Sequence, residues 1–372
     1  MGFPIARRFK FNPRASLLHF PPLPPRSLRS PRLPGATGGT PPVRDATIMR
    51  VEPTTTLAEY RQWQPTPYAL DYQPMHHPRP IVLVFCNPNA GRGRARLFAG
   101  KIYKRLQRDG FDVQVVFEPP ALFEAKPGAD YRAAIVMGGD GTLRSVTARL
   151  YEVIAQPPPI LLVPMGTANL IGKHLELSWH DQDPADEIAA AIARYQVVQL
   201  DAGSANGHLF LLMASAGFDA HVVHEMERVR NGPIDFISYA FPTLLTLRDY
   251  KFHKLRVAVD GREIFANRPA IAIIANVPEY GVGFPFIPAA KPTDRRLDVC
   301  VLPCHDRKDL LQIAMHLATG DHLSREGAVV ASGTSIDIES PDDTPIQLDG
   351  DAFGFTPLRI RLLDRTVGFI VP

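Results

Sequence analysis

Cysteine, long apolar runs and acidic charge near the start are all scarce in this chain. Only Cys86, Cys300 and Cys304 occur in 372 residues. So sparse and odd a set excludes a disulfide framework and suits a reduced, cytosolic compartment. No stretch approaches the 18 uninterrupted apolar residues of a membrane span. The longest runs, such as Ile81–Cys86 and Leu209–Ala214, have the length of buried strands, so contact with a membrane surface is the only membrane role left. No apolar segment ends in a small-residue cleavage site, so secretion is not expected. The start Met1-Gly2-Phe3-Pro4-Ile5-Ala6 lacks the Ser or Thr of a myristoylation signal.

Charge of one sign is also missing from the body. Residues 1–80 hold 11 basic and 4 acidic side chains, whereas residues 81–372 hold 30 basic and 34 acidic. A body of net charge −4 argues against a nucleic-acid-binding surface. The first 80 residues also hold 16 of the 37 prolines, and no acid precedes Asp45. Proline fixes φ and removes a donor, so residues 1–78 read as a disordered Pro/Arg-rich extension. An inert extension with Met49 as the true start, an organelle transit peptide, and attraction to anionic lipid are all compatible with that composition.

What is present begins near Arg79. Ile81–Phe85 reads as a strand and runs into Asn87-Pro88-Asn89-Ala90-Gly91-Arg92-Gly93. Leu97, Ile102, Tyr103 and Leu106 then recur at helical spacing, and Gly110 closes the helix. Phe111–Phe117 alternates as a second strand. Ala133–Met137 is a third strand, leading to Gly138-Gly139-Asp140-Gly141-Thr142 and a helix with Leu143, Val146 and Leu150 on one face. Ile160–Val163 is a fourth strand, leading to Pro164-Met165-Gly166-Thr167-Ala168-Asn169 and a further helix.

Strands alternating with helices predict a parallel sheet, in which ligands collect beyond the carboxyl ends of the strands. All three glycine turns fall at that end. Each offers free backbone N–H groups and a helix N-terminus, and glycine lets a phosphate approach the backbone. Three such turns on one edge describe a polyphosphate cradle. It is of neither common type: GxxxxGK[ST] is absent, and Gly91-Arg92-Gly93-Arg94-Ala95-Arg96 lacks the third glycine of a dinucleotide fingerprint.

In this order, Asn87-Pro88-x-x-Gly91, Gly138-Gly139-Asp140-Gly141-Thr142 and Pro164-x-Gly166-Thr167-x-Asn169 resemble the diacylglycerol kinase catalytic domain, whose superfamily includes bacterial soluble lipid kinases and sphingosine kinases. The resemblance continues through Gly217-Phe218-Asp219-Ala220, Asn276, Tyr280-Gly281-x-Gly283, Pro288, Asp294-x-x-Leu297-Asp298-Val299 and Leu348-Asp349-Gly350-Asp351. From Val197 onward short alternating segments also read, on pattern alone, as an antiparallel sandwich or barrel, with helices near Ala220–Val229 and Leu310–Ala318 and a third over Ile234–Leu247.

The resemblance implies an α/β plus all-β architecture. An N-terminal parallel α/β nucleotide-binding domain of the NAD kinase and phosphofructokinase type would span 79–199. A C-terminal antiparallel β-sandwich would span 200–372, its last strands packing back on the first domain, with a cleft between. It implies an ATP- and Mg²⁺-dependent lipid kinase, with an NAD kinase-type enzyme and a catalytically impaired, nucleotide-binding pseudokinase as alternatives. Asn87, Pro88, Gly91, Gly138, Gly139, Asp140, Gly141, Thr142, Arg144, Gly166, Thr167 and Asn169 would hold ATP. Asp351, Asp349 and Asp140 would be the catalytic acids, with the general base in the Asp349-Gly350-Asp351 turn. Asp294, with the carbonyls of Lys291 and Arg296, resembles a structural Mg²⁺ site. The acceptor would be a lipid alcohol, met by a cytoplasmic protein through peripheral contact with a membrane; Leu244–Leu247 and the loop Gly281–Ile287 suit an apolar slot or plain core packing. A homodimer stays open.

Three departures stand out. Asp351 is one methylene shorter than the glutamate usual in the family. Arg144-Ser145 stands where the family usually has Asn-Glu, and Asp294-Arg295 stands in place of Asp-Gly. His221, His224 and Glu225 lack the order of a zinc motif and read as an ordinary helix face. Cys300, Cys304 and His305 read as a strand and its exit turn.

Overall fold

The computed structural model describes residues 79–88, 90–179, 183–229, 250–280 and 284–372, all within one compact unit, Pro74–Pro372. The extension over 1–78, the segment Ile234–Leu247 with its proposed slot, and residues 281–283 lie outside the described residues.

The first half follows the strand–turn–helix pattern. β1 (Ile81–Cys86), α1 (Ala95–Arg108), β2 (Asp112–Val116), β3 (Tyr131–Gly138), α2 (Asp140–Val153) and β4 (Ile160–Pro164) come in the expected order. A short α3 (Leu170–His174), then α4 (Ala185–Arg194) and β5 (Val197–Leu200) complete it. β1 and β4 are wholly apolar, β3 is apolar from Ala133 onward, and these stretches are almost wholly buried, as befits a sheet covered on both faces. The stripe of α1 that packs on it is Ala95, Ala99, Ile102 and Leu106; Leu97 lies off that stripe and is 70% exposed. α2 buries Leu143, Val146 and Leu150, each such side chain contributing roughly 1.5–3 kcal/mol. Sequence pattern placed no helix at α4, because its alanines make a weak apolar signal beside Ile188 and Ile192.

The second half is antiparallel. Its strands are β6 (Gly203–Ala205), β7 (His208–Phe210), β8 (Met213–Ala216), β9 (Lys254–Val259), β10 (Arg262–Ala275), β11 (Glu279–Tyr280), β12 (Phe284–Pro285), β13 (Leu297–Pro303), β14 (Val329–Gly333), β15 (Ser335–Glu339), β16 (Pro345–Leu348), β17 (Asp351–Phe355) and β18 (Leu358–Leu362). Helices α5 (Phe218–Val229) and α6 (Arg307–Thr319) are inserted among them. The long β10 pairs with β9 through its first part and with β8 and β13 through its second. Register shifts near Phe265 bend it, so one strand serves both layers of a curled sheet. A final strand, β19 (Val367–Ile370), returns to the first sheet, whose order is β2-β1-β3-β4-β19-β5, with β5 alone antiparallel to its neighbour.

The apolar run read as one strand over Leu209–Ala214 is two strands, β7 and β8, with a bend at Leu211-Leu212. The bend has a cause far along the chain. The backbone N–H groups of Leu211, Leu212 and Met213 donate to the Asp349 carboxylate at 2.9, 2.9 and 3.0 Å, so a side chain replaces strand pairing there. Leu211, Leu212 and Met213 also join Leu143, Val146 and Leu150 in one core, which binds the two halves together beneath the glycine turns.

Candidate active site

Strand register brings the three turns to one edge. Cys86 pairs with Met137, and Gly138 pairs with Pro164, so β1, β3 and β4 end level with one another. The turns then close on each other through backbone hydrogen bonds. Asn87 N donates to Met137 O at 3.1 Å, Met165 N to Gly138 O at 2.9 Å, and Gly91 N to Met165 O at 3.2 Å. Asn87 also reaches the second turn, Nδ2 to Thr142 Oγ1 at 3.4 Å. Pro88 is half-buried beside it.

Two glycines are required by this closure. A Cβ on Gly166 would overlap the Gly139 Cα, so the second and third turns meet backbone to backbone. Gly91 has φ +58 and faces the Met165 side chain, which a Cβ would strike. Asn169, itself left-handed at φ 50, locks the third turn: its Oδ1 accepts from Gly166 N and its Nδ2 donates to Gly166 O, both at 2.8 Å. Gly166 and Thr167 are left exposed at the mouth of the cleft.

Asp140 is placed as a clasp between turns. Its carboxylate accepts from Leu170 N at 3.1 Å and Ile171 N at 3.4 Å, tying the start of α2 to the start of α3. Burial pushes its pKa up, and the amide hydrogen bonds work against that shift.

The acidic turn stands opposite. Asp349 has φ 48, and its carboxylate is taken up by the three amides of the 211–213 bend. Burial raises its pKa, opposed first by the nearby Arg144 charge and then by those amides. Asp349 is thus consumed in holding the turn. Asp351 is free of that duty and half-exposed, and its Oδ2 lies 3.6 Å from where a Cβ on Gly141 would stand. The Asp351 carboxylate therefore meets the first turn of α2 at Gly141, within the second glycine turn. Arg144, from that same helical turn, donates through Nη2 to Asp351 Oδ2 at 2.6 Å and through Nη1 to Leu348 O at 2.5 Å. Two departures from the family pattern are in direct contact.

A second tier supports the acidic turn, and sequence reading missed its key member. Gln347 is buried; its Oε1 accepts from Gly350 N at 2.8 Å and its Nε2 donates to Asp219 Oδ2 at 3.3 Å. Ser215 Oγ donates to the same Asp219 oxygen. Enclosure pushes the Asp219 carboxyl up to about 6, against those two hydrogen bonds. The available signal was a polar residue in the buried strand just before the acidic turn. Buried Asn276 braces the bend from behind, donating to Leu211 O and Asp201 O at 2.7 Å each.

The expected cation site at Asp294 lies beside two arginines. Asp294 Oδ1 accepts from Arg296 N at 3.1 Å, and the Arg296 guanidinium is bound to Ser332. Arg295 donates from its backbone N at 2.7 Å and from Nη1 at 2.8 Å to Asp201, which is 1% exposed. The expected donor set there is the Asp294 carboxylate with the backbone carbonyls of Lys291 and Arg296, oxygen ligands that suit a hard cation. Asp298 is a second acid, its pKa raised first by burial and further by the nearby Asp294 charge. Among the described residues no group of three or more His, Cys, Asp or Glu is arranged to hold a metal. His224 Nε2 contacts Ile346 O at 2.8 Å, and His221 packs on Tyr250. Cys300 and Cys304 are buried, their thiols pushed up to about 12 by burial, and His305 pairs with Asp309. No described helix is long and apolar enough to cross a membrane.

Beside the acidic turn lies a groove of about 390 Å³ between α5 and β17, with Pro345, Ala352 and Phe355 on one side and His221, His224 and Glu225 on the other.

Comparison with known proteins agrees with this arrangement. The model of the diacylglycerol kinase catalytic domain matches residues 81–205, and that of the YegS C-terminal NAD kinase beta sandwich-like domain matches residues 213–371. Similar proteins include the diacylglycerol kinase of Staphylococcus haemolyticus (strain JCSC1435), 24% identical over 304 residues that span 79% of this chain and 89% of that one. The diacylglycerol kinase of Staphylococcus carnosus (strain TM300) is 22% identical over 296 residues, spanning 78% and 94%. A crystal structure of a diacylglycerol kinase from Bacillus anthracis strain Sterne superposes with a TM-score of 0.59 at 23% identity, covering 79% of this chain and 97% of that one, a likeness of fold.

Proposed function

Because this chain belongs to the diacylglycerol kinase catalytic-domain superfamily, we propose that it is an ATP- and Mg²⁺-dependent lipid kinase, moving the γ-phosphate of ATP to the hydroxyl of a diacylglycerol-like, phosphatidylglycerol-like or sphingoid lipid. The observation that carries this reading is the convergence of the turns at Asn87, Gly138 and Pro164 on one edge, with Asp351 facing the first turn of α2.

Phosphoryl transfer needs positioning and neutralised charge more than covalent help. The backbone amides of the Gly139–Thr142 turn and of Thr167 would cradle the phosphates, with the positive end of α2 behind them, while Gly91 N and Gly166 N are spent on Met165 O and Asn169 Oδ1. Asn87, Pro88, Asp140 and Asn169 keep the cradle closed. Magnesium accompanies the nucleotide and offsets phosphate charge. As the lipid oxygen bonds to the γ-phosphorus, the bond to the β-phosphate oxygen breaks and ADP leaves. Asp351 takes the hydroxyl proton, a contribution of roughly 10²–10⁴ in rate. Asp349 fixes the turn that presents Asp351. A structural ion held by the Asp294 carboxylate and the backbone carbonyls of Lys291 and Arg296 would stiffen the loop beside the Arg295–Asp201 ion pair.

The acceptor is assigned to a lipid hydroxyl that reaches Asp351, with the lipid presented from a membrane surface. The ion pair on Asp351 favours a second reading, a nucleotide-binding pseudokinase. Incubation with total lipid extract and γ-labelled ATP, beside a reaction with NAD⁺, separates the readings. Label in a lipid identified by mass spectrometry is expected. Label in NAD⁺ alone assigns an NAD kinase-type enzyme, and ATP binding without transfer to any acceptor assigns the pseudokinase.

A further inference from the structure

The Arg144–Asp351 contact carries an inference that rests on the reading above and sharpens it. The Arg144 side chain is 19% exposed and that of Asp351 is 45% exposed. Their pairing is therefore half in water, where such ion pairs hold weakly. Arg144 stands one turn into α2, the helix that follows the Gly138–Thr142 turn. It is also fixed at one end, through Nη1 to Leu348 O. A terminal phosphate offers such a group more charge than one carboxylate does, and its oxygens match the planar fork of arginine. Meanwhile the guanidinium occupies Asp351 Oδ2, the oxygen that faces Gly141 in the first turn of α2.

We propose that Arg144 is a positioning residue that clasps Asp351 in the nucleotide-free protein and passes to the terminal phosphate of a bound nucleoside triphosphate, leaving the Asp351 carboxylate open to the acceptor hydroxyl. Leu348 O is the pivot of that exchange. The arginine and the shortened acid then form one device: Asp351 is ready for a proton only when the phosphate to be transferred is in place.

The test is a double-mutant cycle on binding, free of any turnover. Calorimetry is run with magnesium and a non-hydrolysable ATP analogue on the full chain, without lipid, on the wild type, Arg144→Met, Asp351→Asn and the double variant. Thermal unfolding of each checks folding, and Arg144→Lys supplies a charge-conserving variant. Asp351→Asn is expected to tighten the ATP analogue about 5-fold by releasing the guanidinium, and Arg144→Met to weaken it about 10-fold. In the Arg144→Met background Asp351→Asn is expected to change nothing. Arg144→Lys falls between. With ADP, which lacks the γ-phosphate that would receive the arginine, the gain from Asp351→Asn disappears. Equal tightening with and without Arg144 would mark simple charge repulsion and overturn the exchange, as would equal tightening for ADP or no tightening at all. Failure of the wild type to bind nucleotide overturns the kinase reading itself. Wild-type binding with a flat cycle overturns the exchange alone.

Discussion

The two walls of the cleft are built by opposite means. The α/β wall is backbone: three turns, each contiguous in sequence, held by main-chain hydrogen bonds and by glycines that let chains touch. The β wall is side chain: an acidic turn held by amides 136 to 138 residues away and by the buried Gln347 and Asp219. A backbone wall suits an anion whose shape is constant, since amides carry no charge to tune. A side-chain wall suits the step in which a proton must move, since only a titratable group can take it.

That contrast can be broken or sharpened by substitution. The largest effect is expected at the reacting group. Asp351→Ala should lower kcat by about 10²–10⁴ while leaving the melting temperature near that of the wild type. A turnover loss under 10-fold would remove Asp351 from the chemistry. Asp349→Ala should act the other way round. It orphans three buried amides at about 1–3 kcal/mol each, partly relieved by relaxation, so a loss of about 3–5 kcal/mol in denaturant unfolding is expected. Unchanged stability would contradict the role given to Asp349.

Asp219 sets a pH dependence whose sign follows from its raised pKa. The native carboxyl titrates at about 6 against 3.8 for the ordinary group. Its protonated form is thus favoured by folding, the stabilisation being complete below pH 4 and lost as pH rises to about 6. The loss is at most about 3 kcal/mol for two units. Asp219→Asn keeps an acceptor for Ser215 and Gln347, so it should flatten that pH window and be the more stable protein at pH 7. A variant that loses the same stability across the window refutes the assignment. The smallest effect is expected on the backbone wall, where Gly166→Ala must push apart two chains at about 1–3 kcal/mol. It should weaken nucleotide binding more than it alters the pH profile of turnover.

The same contrast decides what could be read from the sequence. The α/β wall was legible because each turn follows its own strand and precedes its own helix, so local pattern places it on the sheet edge. The order and edges of β1, β3 and β4 followed, as did the antiparallel character of the second half. Asp349 and Asp351 were legible as a motif, yet not as two different tools, since the division depends on the bend at Leu211-Leu212. That bend was hidden inside an unbroken apolar run whose strand pairing is replaced by a distant carboxylate. Asp140 read as a catalytic candidate, but its carboxylate is engaged by α3, a contact between separate turns that spacing does not encode. Arg144 read as a departure from pattern, and only the fold sets it against the other departure, Asp351.

The central claim is that the three turns and Asp351 enclose one nucleotide site. A crystal structure of the full chain with magnesium and a non-hydrolysable ATP analogue tests it most directly. The account predicts phosphates on the amides of Gly139–Thr142 and Thr167, with the terminal phosphate between Arg144 and the open edge beside Asp351. A nucleotide seated elsewhere on the molecule, with these turns empty at saturating concentration, would contradict it.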